Sequence, residues 1–245
     1  KLFGYRHSLP ERPGWYACAC CPTNLVRLIA SLGKYCFSES DTAVYSHLYI
    51  GQKAELKKAD IAMETSYPWE GKVLYRVTPK TEESFTLAIH IPYYVDFRKD
   101  DTELTVNGKP VDAGELTKKG YVYLDRKWNA GDVVELQFPM EVRRVYANPL
   151  VREDAGCVAL MRGPVVYCFE GADNEGPLQS LRISRELKAE SHMCEEGILK
   201  GNVLIDVDGC RICGGEELYS EKPPVREKVR IRAIPYYAWA NRGEN

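Results

Sequence analysis

The sequence predicts a mainly β protein: two antiparallel β-sandwich domains preceded by a loop and one helix. Three observations carry this reading. From residue 40 onward, short runs rich in β-branched and aromatic residues follow one another. Turn signals separate them, notably Asn107-Gly108, Pro79-Lys80 and Ala130-Gly131-Asp132. Clear helical periodicity occurs once, near the N-terminus.

The elements follow in order. Residues 1–14, KLFGYRHSLPERPG, carry two prolines and two glycines and read as a loop. Residues 24–33 read as a helix, because Leu25, Leu28, Ile29 and Leu32 fall at i, i+3, i+4 and i+7 on one apolar face. Thr23 or Asn24 is positioned to cap its start, Pro22 lies beside them, and Gly33 is placed to stop it. The strand-like runs are 42–50, 60–68, 71–79, 84–92, 102–111, 120–128 and 132–140, a pattern that fits an antiparallel sandwich. The segment VYANPLVRED then breaks the rhythm. Runs at 157–170, 201–209 and 228–240 begin again after it, and the polar stretch 171–200 reads as loop. The domains are therefore placed at 1–36 (loop and helix), 37–149 (first sandwich) and 150–245 (second sandwich).

With 33 basic and 35 acidic residues among 245, the formal charge is -2, and like charges form no block. Nucleic acid and acidic membrane surfaces are not favoured partners. No run approaches the ~20 apolar residues of a membrane span. The chain opens on Lys1 rather than methionine and shows no signal peptide, so it reads as a piece of something longer. Nine cysteines is an odd number, and three of them crowd into residues 18–21. That pattern fits reduced thiols with a metal or catalytic role, in a cytoplasmic setting, better than a disulfide scaffold.

The crowding has a chemical rationale. Thiols at a helix N-terminus face the positive end of the helix dipole and unpaired N–H groups, and both stabilise the thiolate that attacks carbon or binds metal. Cys20 and Cys21 are so placed; His7 lies in the loop within reach of such a site. Zinc takes about four ligands, and this stretch supplies two, with Cys18 a third at most. One in-chain source for the remainder is the C-x-x-C of Cys210 and Cys213, which would make a self-contained zinc protein. Cys36, Cys157, Cys168 and Cys194 read as structural, as do His47 and His90 within strand-like runs; His192 points to nothing in particular. No G-x-S-x-G, phosphate loop or H-E-x-x-H occurs.

The stretch CACCPTNLVRLIASLGKY (18–35) resembles the cysteine motif of glycoside hydrolase family 127, the β-L-arabinofuranosidases. Two further stretches agree in order: VYANPLVREDAGCVALMRGPVVYCFEGADN (145–174) and IRAIPYYAWANRG (231–243). The resemblance implies that residues 1–36 are the last loop and helix of an (α/α)6 barrel. It implies removal of terminal β-L-arabinofuranose with retention, by a zinc-bound cysteine thiolate and a glutamate acid/base. On that pattern Cys20 is nucleophile and zinc ligand, Cys21 is a second zinc ligand, and Cys18 stays off the metal. The substrate would be an L-arabinofuranose-containing glycan.

The family's remaining zinc ligands, spaced E-x-C, and its acid/base glutamate lie upstream and match nothing here. The missing N-terminal barrel segment is thus an implied partner, and the chain alone is expected to hold half a zinc site and to be inactive. Without barrel helices, the apolar face of Leu25, Leu28, Ile29 and Leu32 must dock on the sandwich, meet another copy in a homo-oligomer, or leave the helix disordered. A rival reading makes the sandwiches a carbohydrate-binding or structural module. Tyr93, Tyr94, Tyr236, Tyr237 and Trp239 would then be the sugar-facing aromatics.

Overall fold

The computed structural model describes residues 11–12, 14, 19–97, 102–186, 188–215 and 217–242. The chain divides into two compact units, one ending at Glu141 and the other running on from Val142. The described N-terminal residues Glu11, Arg12 and Gly14 belong with the second.

The first unit opens on helix α1 (Cys20–Ser31), which tightens into a 3₁₀ turn at Leu32–Tyr35. Strands β1 (Phe37–Glu39), β2 (Ala43–Ser46), β3 (Gln52–Glu55), β4 (Ala59–Thr65), β5 (Lys72–Pro79) and β6 (Phe85–His90) follow. Next come β7 (Glu103–Val106), β8 (Lys109–Pro110), the short helix α2 (Ala113–Leu116), β9 (Thr117–Lys118), β10 (Tyr121–Arg126) and β11 (Asp132–Gln137). They form two sheets, ordered β1-β2-β6-β10-β9 and β3-β4-β5-β11-β7-β8.

Burial follows the two-residue period of a strand. In β5, Val73, Tyr75 and Val77 are buried while Lys72, Arg76 and Thr78 face water. One core joins Val44, Leu87, Ile89, Val122 and Leu124 of the first sheet to Ile61, Met63, Tyr75, Val134 and Leu136 of the second. This is the expected sandwich, with one departure from antiparallel pairing. Strand β2 runs parallel to β6, Ala43 opposite Thr86, because β3, β4 and β5 of the other sheet intervene between them in the chain. The Asn107-Gly108 turn joins β7 and β8 with both residues at positive φ, 53° and 71°, as a tight hairpin requires.

The second unit contains β12 (Val142–Tyr146), β13 (Val158–Arg162), β14 (Val165–Phe169), β15 (Leu181–Ile183), β16 (Ala189–Met193), β17 (Val203–Cys213) and β18 (Val225–Pro235). All seven join one sheet, ordered β12-β13-β14-β18-β17-β15, with β16 also on β17. One cluster collects Leu160, Tyr167, Ile205, Val207 and Ile231. Val142 from one edge and Leu181 and Ile183 from the other pack against it. The sheet is therefore sandwich-like by curling on itself rather than by stacking two sheets. Gly209 permits the close approach this needs: a Cβ there would stand 2.5 Å from the Arg182 carbonyl oxygen and 2.4 Å from the Ile231 side chain.

Several sequence expectations shift. The second unit begins at Val142, eight residues before the expected 150, because β12 pairs along its whole length with β13. The polar stretch 171–200 is not all loop, since β15 and β16 lie in it. Helix α1 begins four residues earlier than its apolar periodicity indicates. Neither Thr23 nor Asn24 caps its start: Thr23 Oγ1 donates to the Ala19 and Cys20 carbonyls, and Asn24 Nδ2 donates to Cys20. Gly33 does not stop the helix abruptly but sits inside the 3₁₀ turn. The helix is formed yet buries no residue. Leu25, Val26, Leu28 and Ile29 are each about half exposed or more. No helix among the described residues is long and apolar enough to cross a membrane.

Candidate functional site

The early start of α1 places Cys20 and Cys21 in its first turn rather than ahead of it. No acidic residue shares that turn. The N–H groups there lack intrahelical partners, and the dipole's positive end favours an anion. Pro22, third in the helix, fits because an N–H at that position would have no intrahelical acceptor. Both thiols are exposed.

Cys20 Sγ and Cys21 Sγ lie 3.8 Å apart. Two sulfurs each ~2.3 Å from a tetrahedral zinc ion stand ~3.8 Å from one another. The pair thus fits half of a zinc centre. Among the described residues, no group of three or more His, Cys, Asp or Glu side chains is gathered to hold an ion. Cys18 and His7 lie outside the described residues.

The C-x-x-C does not supply the other half. Cys210 and Cys213 both sit within β17, where side chains alternate between faces, so residues three apart point to opposite sides of the sheet. Continuous pairing with β18, Cys210 opposite Lys228 and Cys213 opposite Val225, holds them there. The self-contained zinc reading fails on this geometry.

The remaining sequence candidates fall into structural settings. Cys36 is buried, with its thiol donating to the Leu32 carbonyl. Burial pushes the Cys168 thiol up to about 11, and Glu170 adds to the effect. His47 bridges Ser38 and Tyr121, its two ring nitrogens each 2.7 Å from a hydroxyl. Burial lowers the pKa of His47 and of His90. The aromatics proposed for sugar contact separate into two settings. Tyr93 is exposed, and the neighbouring Tyr94 hydroxyl donates to Tyr67. In the 3₁₀ turn at Tyr236–Ala238 and just beyond it, Tyr236 stacks on Trp239 at 6.1 Å and 22°.

One constellation was not foreseen. Glu170, fully buried after β14, accepts from the Ala240 N–H at 2.6 Å and from Arg242 Nε at 3.0 Å. Arg242 also grips Asp173. That grip and the bonds to Glu170 hold the guanidinium protonated well above its ordinary range. Asn174 fixes the same turn, donating to the Glu170 and Arg232 carbonyls and accepting from the Arg232 N–H. The signal for it lay in FEGADN (169–174) and ANRG (240–243), which carry opposite charges but sit some 70 residues apart in sequence.

Comparison with known proteins defines the class first. Both units match domains of glycoside hydrolases: residues 43–140 the β-L-arabinofuranosidase middle domain, and residues 142–245 the family 127 C-terminal domain. The two matches leave only residue 141 of that span uncovered, and the chain belongs to glycoside hydrolase family 127. It is 39% identical, over 96% of its length, to the non-reducing end β-L-arabinofuranosidase of Bifidobacterium longum subsp. longum, of which it covers 37%. Among solved structures, a family 127 β-L-arabinofuranosidase from Geobacillus stearothermophilus T6 superposes with a TM-score of 0.90 at 45% identity, over 98% of this chain and 38% of that one. A second family 127 β-arabinofuranosidase gives 0.84 at 36% identity, over 96% and 38%. The chain therefore spans well under half the length of these relatives.

Proposed function

We propose that this chain is the C-terminal portion of a retaining glycoside hydrolase that removes terminal β-L-arabinofuranose, with Cys20 as nucleophile. The observation that carries the proposal is the Cys20–Cys21 pair, 3.8 Å apart in an acid-free first helical turn. Its family membership and its arabinofuranosidase relatives support the substrate class.

The chemistry follows from a thiolate and a carboxylic acid. Cys20 Sγ attacks the anomeric carbon, and the glycosidic C–O bond breaks. The leaving oxygen takes its electron pair and a proton from a carboxylic acid supplied outside this chain. Water then attacks the same carbon and gives a proton to that carboxylate. The C–S bond breaks, and the sulfur departs as thiolate. Two inversions leave the anomeric configuration retained. Cys20 and Cys21 would hold zinc with ligands from outside this chain, and the bound metal would supply stabilisation of the thiolate form. The helix terminus acts in the same direction through its dipole and unpaired N–H groups.

Free thiols at Cys21, Cys36, Cys157, Cys168, Cys194, Cys210 and Cys213 support a reducing, cytoplasmic compartment. The test is turnover of a β-L-arabinofuranoside by the complete protein. Cys20→Ser should lower kcat by ~10³-fold or more, as removal of a covalent nucleophile does. Loss of less than about tenfold would remove Cys20 from that role. The 245-residue chain on its own should show no hydrolysis, and detectable hydrolysis would contradict the assignment of the acid/base to another part of the protein.

A further inference from the structure

We infer that the aromatic turn after β18 is a docking face for the upstream portion of the same protein. The inference rests on the reading of this chain as the C-terminal portion of a longer enzyme. Tyr236, Tyr237 and Trp239 crowd into four positions of the second unit and are between 36% and 55% exposed. Single exposed apolar residues are ordinary, but large rings gathered on one spot mark an interaction surface, and Tyr and Trp are enriched in such surfaces.

The turn beneath these rings is locked from inside the same unit. Ala238 is buried in a cluster with Leu199, Leu204 and Ile234. The Ala240 N–H donates to Glu170 Oε1 at 2.6 Å, and Arg242 Nε donates to the same carboxylate at 3.0 Å. Ala240 holds φ at +61°, a left-handed conformation that a residue with a Cβ adopts only when its surroundings impose it. Glu170 is wholly buried, and a buried ion pair contributes little net stability against an apolar substitute, so its use is better sought in fixing one geometry. Above the lock, Tyr236 stacks on Trp239, and the Tyr237 hydroxyl bonds to Asn202. A face held in one shape loses little conformational freedom when a partner docks on it.

Two observations point to the upstream chain as that partner. The Arg12 N–H donates to the Ala240 carbonyl at 2.9 Å, so the incoming polypeptide passes this turn. The ten residues before Glu11 can reach at most ~35 Å from it, and whatever precedes them starts within that radius. The chain also spans only 37% of the Bifidobacterium relative and 38% of the Geobacillus one, so the greater part of such an enzyme lies outside it. A tether this short gives the upstream portion an effective concentration on the order of mM at the turn, an advantage that a separate molecule lacks.

The test is hydroxyl-radical oxidation read by peptide mass spectrometry, on the 245-residue chain and on the complete protein. Tyr236, Tyr237 and Trp239 should oxidise about fivefold more slowly in the complete protein, and tenfold dilution should not change that protection. In the complete protein, Trp239→Ser should raise oxidation of Tyr237 toward its rate in the 245-residue chain. In the 245-residue chain the same substitution should leave Tyr237 within about twofold, with exchange of the Ile205 and Ile231 amides unchanged. Equal oxidation of the three rings in the two proteins overturns the inference. Protection that disappears on dilution assigns the face to a second copy, and protection that appears only with an added arabinan assigns it to a glycan; either result overturns the inference too. Reactive rings in a complete protein that still depends on Cys20 for turnover would sink the docking face alone, whereas an active Cys20→Ser enzyme would sink the nucleophile reading and leave the oxidation result standing.

Discussion

Helix α1 and the sandwich that follows it belong to one unit and obey opposite rules. In the sandwich, the long strands bury apolar residues at alternating positions, and Phe85, Leu87, Ile89, Tyr75 and Leu136 have at most 1% of their surface exposed. In the helix, an equally regular apolar stripe is left in water, with Leu28 49% and Ile29 61% exposed. The sandwich closes its own core. The helix carries a pattern whose counterpart is not among the described residues. Periodicity thus fixes which face of an element is apolar, and says nothing of what covers it.

The sharpest way to break this contrast is by paired truncations read from denaturant unfolding of the chain. Phe85→Ala should cost about 3–5 kcal/mol, because it opens a cavity in a filled core. Leu28→Ala should cost no more than about 0.5 kcal/mol, as at other surface sites. Equal costs would mean the helix face is covered in solution, by another copy or by the sandwich.

Asp132 offers a smaller test within the sandwich. It is 7% exposed, and its carboxylate accepts from Asn107 Nδ2 at 2.8 Å and from the Asn129 N–H at 3.0 Å. Burial alone would raise its pKa. The Asn129 and Asn107 hydrogen bonds and the Arg126 charge outweigh it and lower it. Asp132→Ala should cost about 1–3 kcal/mol, since it strands those donors. The pH dependence has a definite sign. The stabilisation from a depressed carboxylate is complete above its unfolded value near 3.9 and is lost as pH falls through the lower folded value.

The histidines of the same unit give the mildest effect. Neutral His47 can donate from one nitrogen and accept at the other, matching Ser38 and Tyr121; protonation removes the acceptor. Its folded pKa lies below the unfolded value, as does that of His90, so their contribution is full above pH ~6.5 and fades as pH falls below it. A melting curve followed from pH 7.5 to 5 should decline, and His47→Gln should flatten part of the decline. A helix-only measurement, such as exchange of the Leu28 amide, should not follow that titration.

Much of this was legible in the sequence, for identifiable reasons. The Asn107-Gly108 hairpin, the alternation along β5 and the apolar stripe of α1 are local signals, and the structure places them as read. The start of α1 was not legible, because apolar periodicity begins only at Leu25 while the first turn is made of thiols and a proline. Cys210 and Cys213 looked like half a metal site because spacing was visible and strand alternation was not. The parallel β2–β6 pair and the Glu170–Arg242 clasp depend on contacts between distant segments, which no local pattern announces. Of the candidate site, Cys20 and Cys21 could be named from their position at a helix start. Their 3.8 Å separation required the structure.

The central claim is that Cys20 forms a bond to the sugar. The most direct measurement is peptide mass spectrometry of the complete protein quenched during turnover of a β-L-arabinofuranoside with a fast leaving group. The account predicts a mass increment of one pentosyl unit on the peptide containing Cys20, localised to that residue and absent from Cys20→Ser. A pentosyl unit on a carboxylate instead, or full turnover by Cys20→Ser with no adduct, would contradict it.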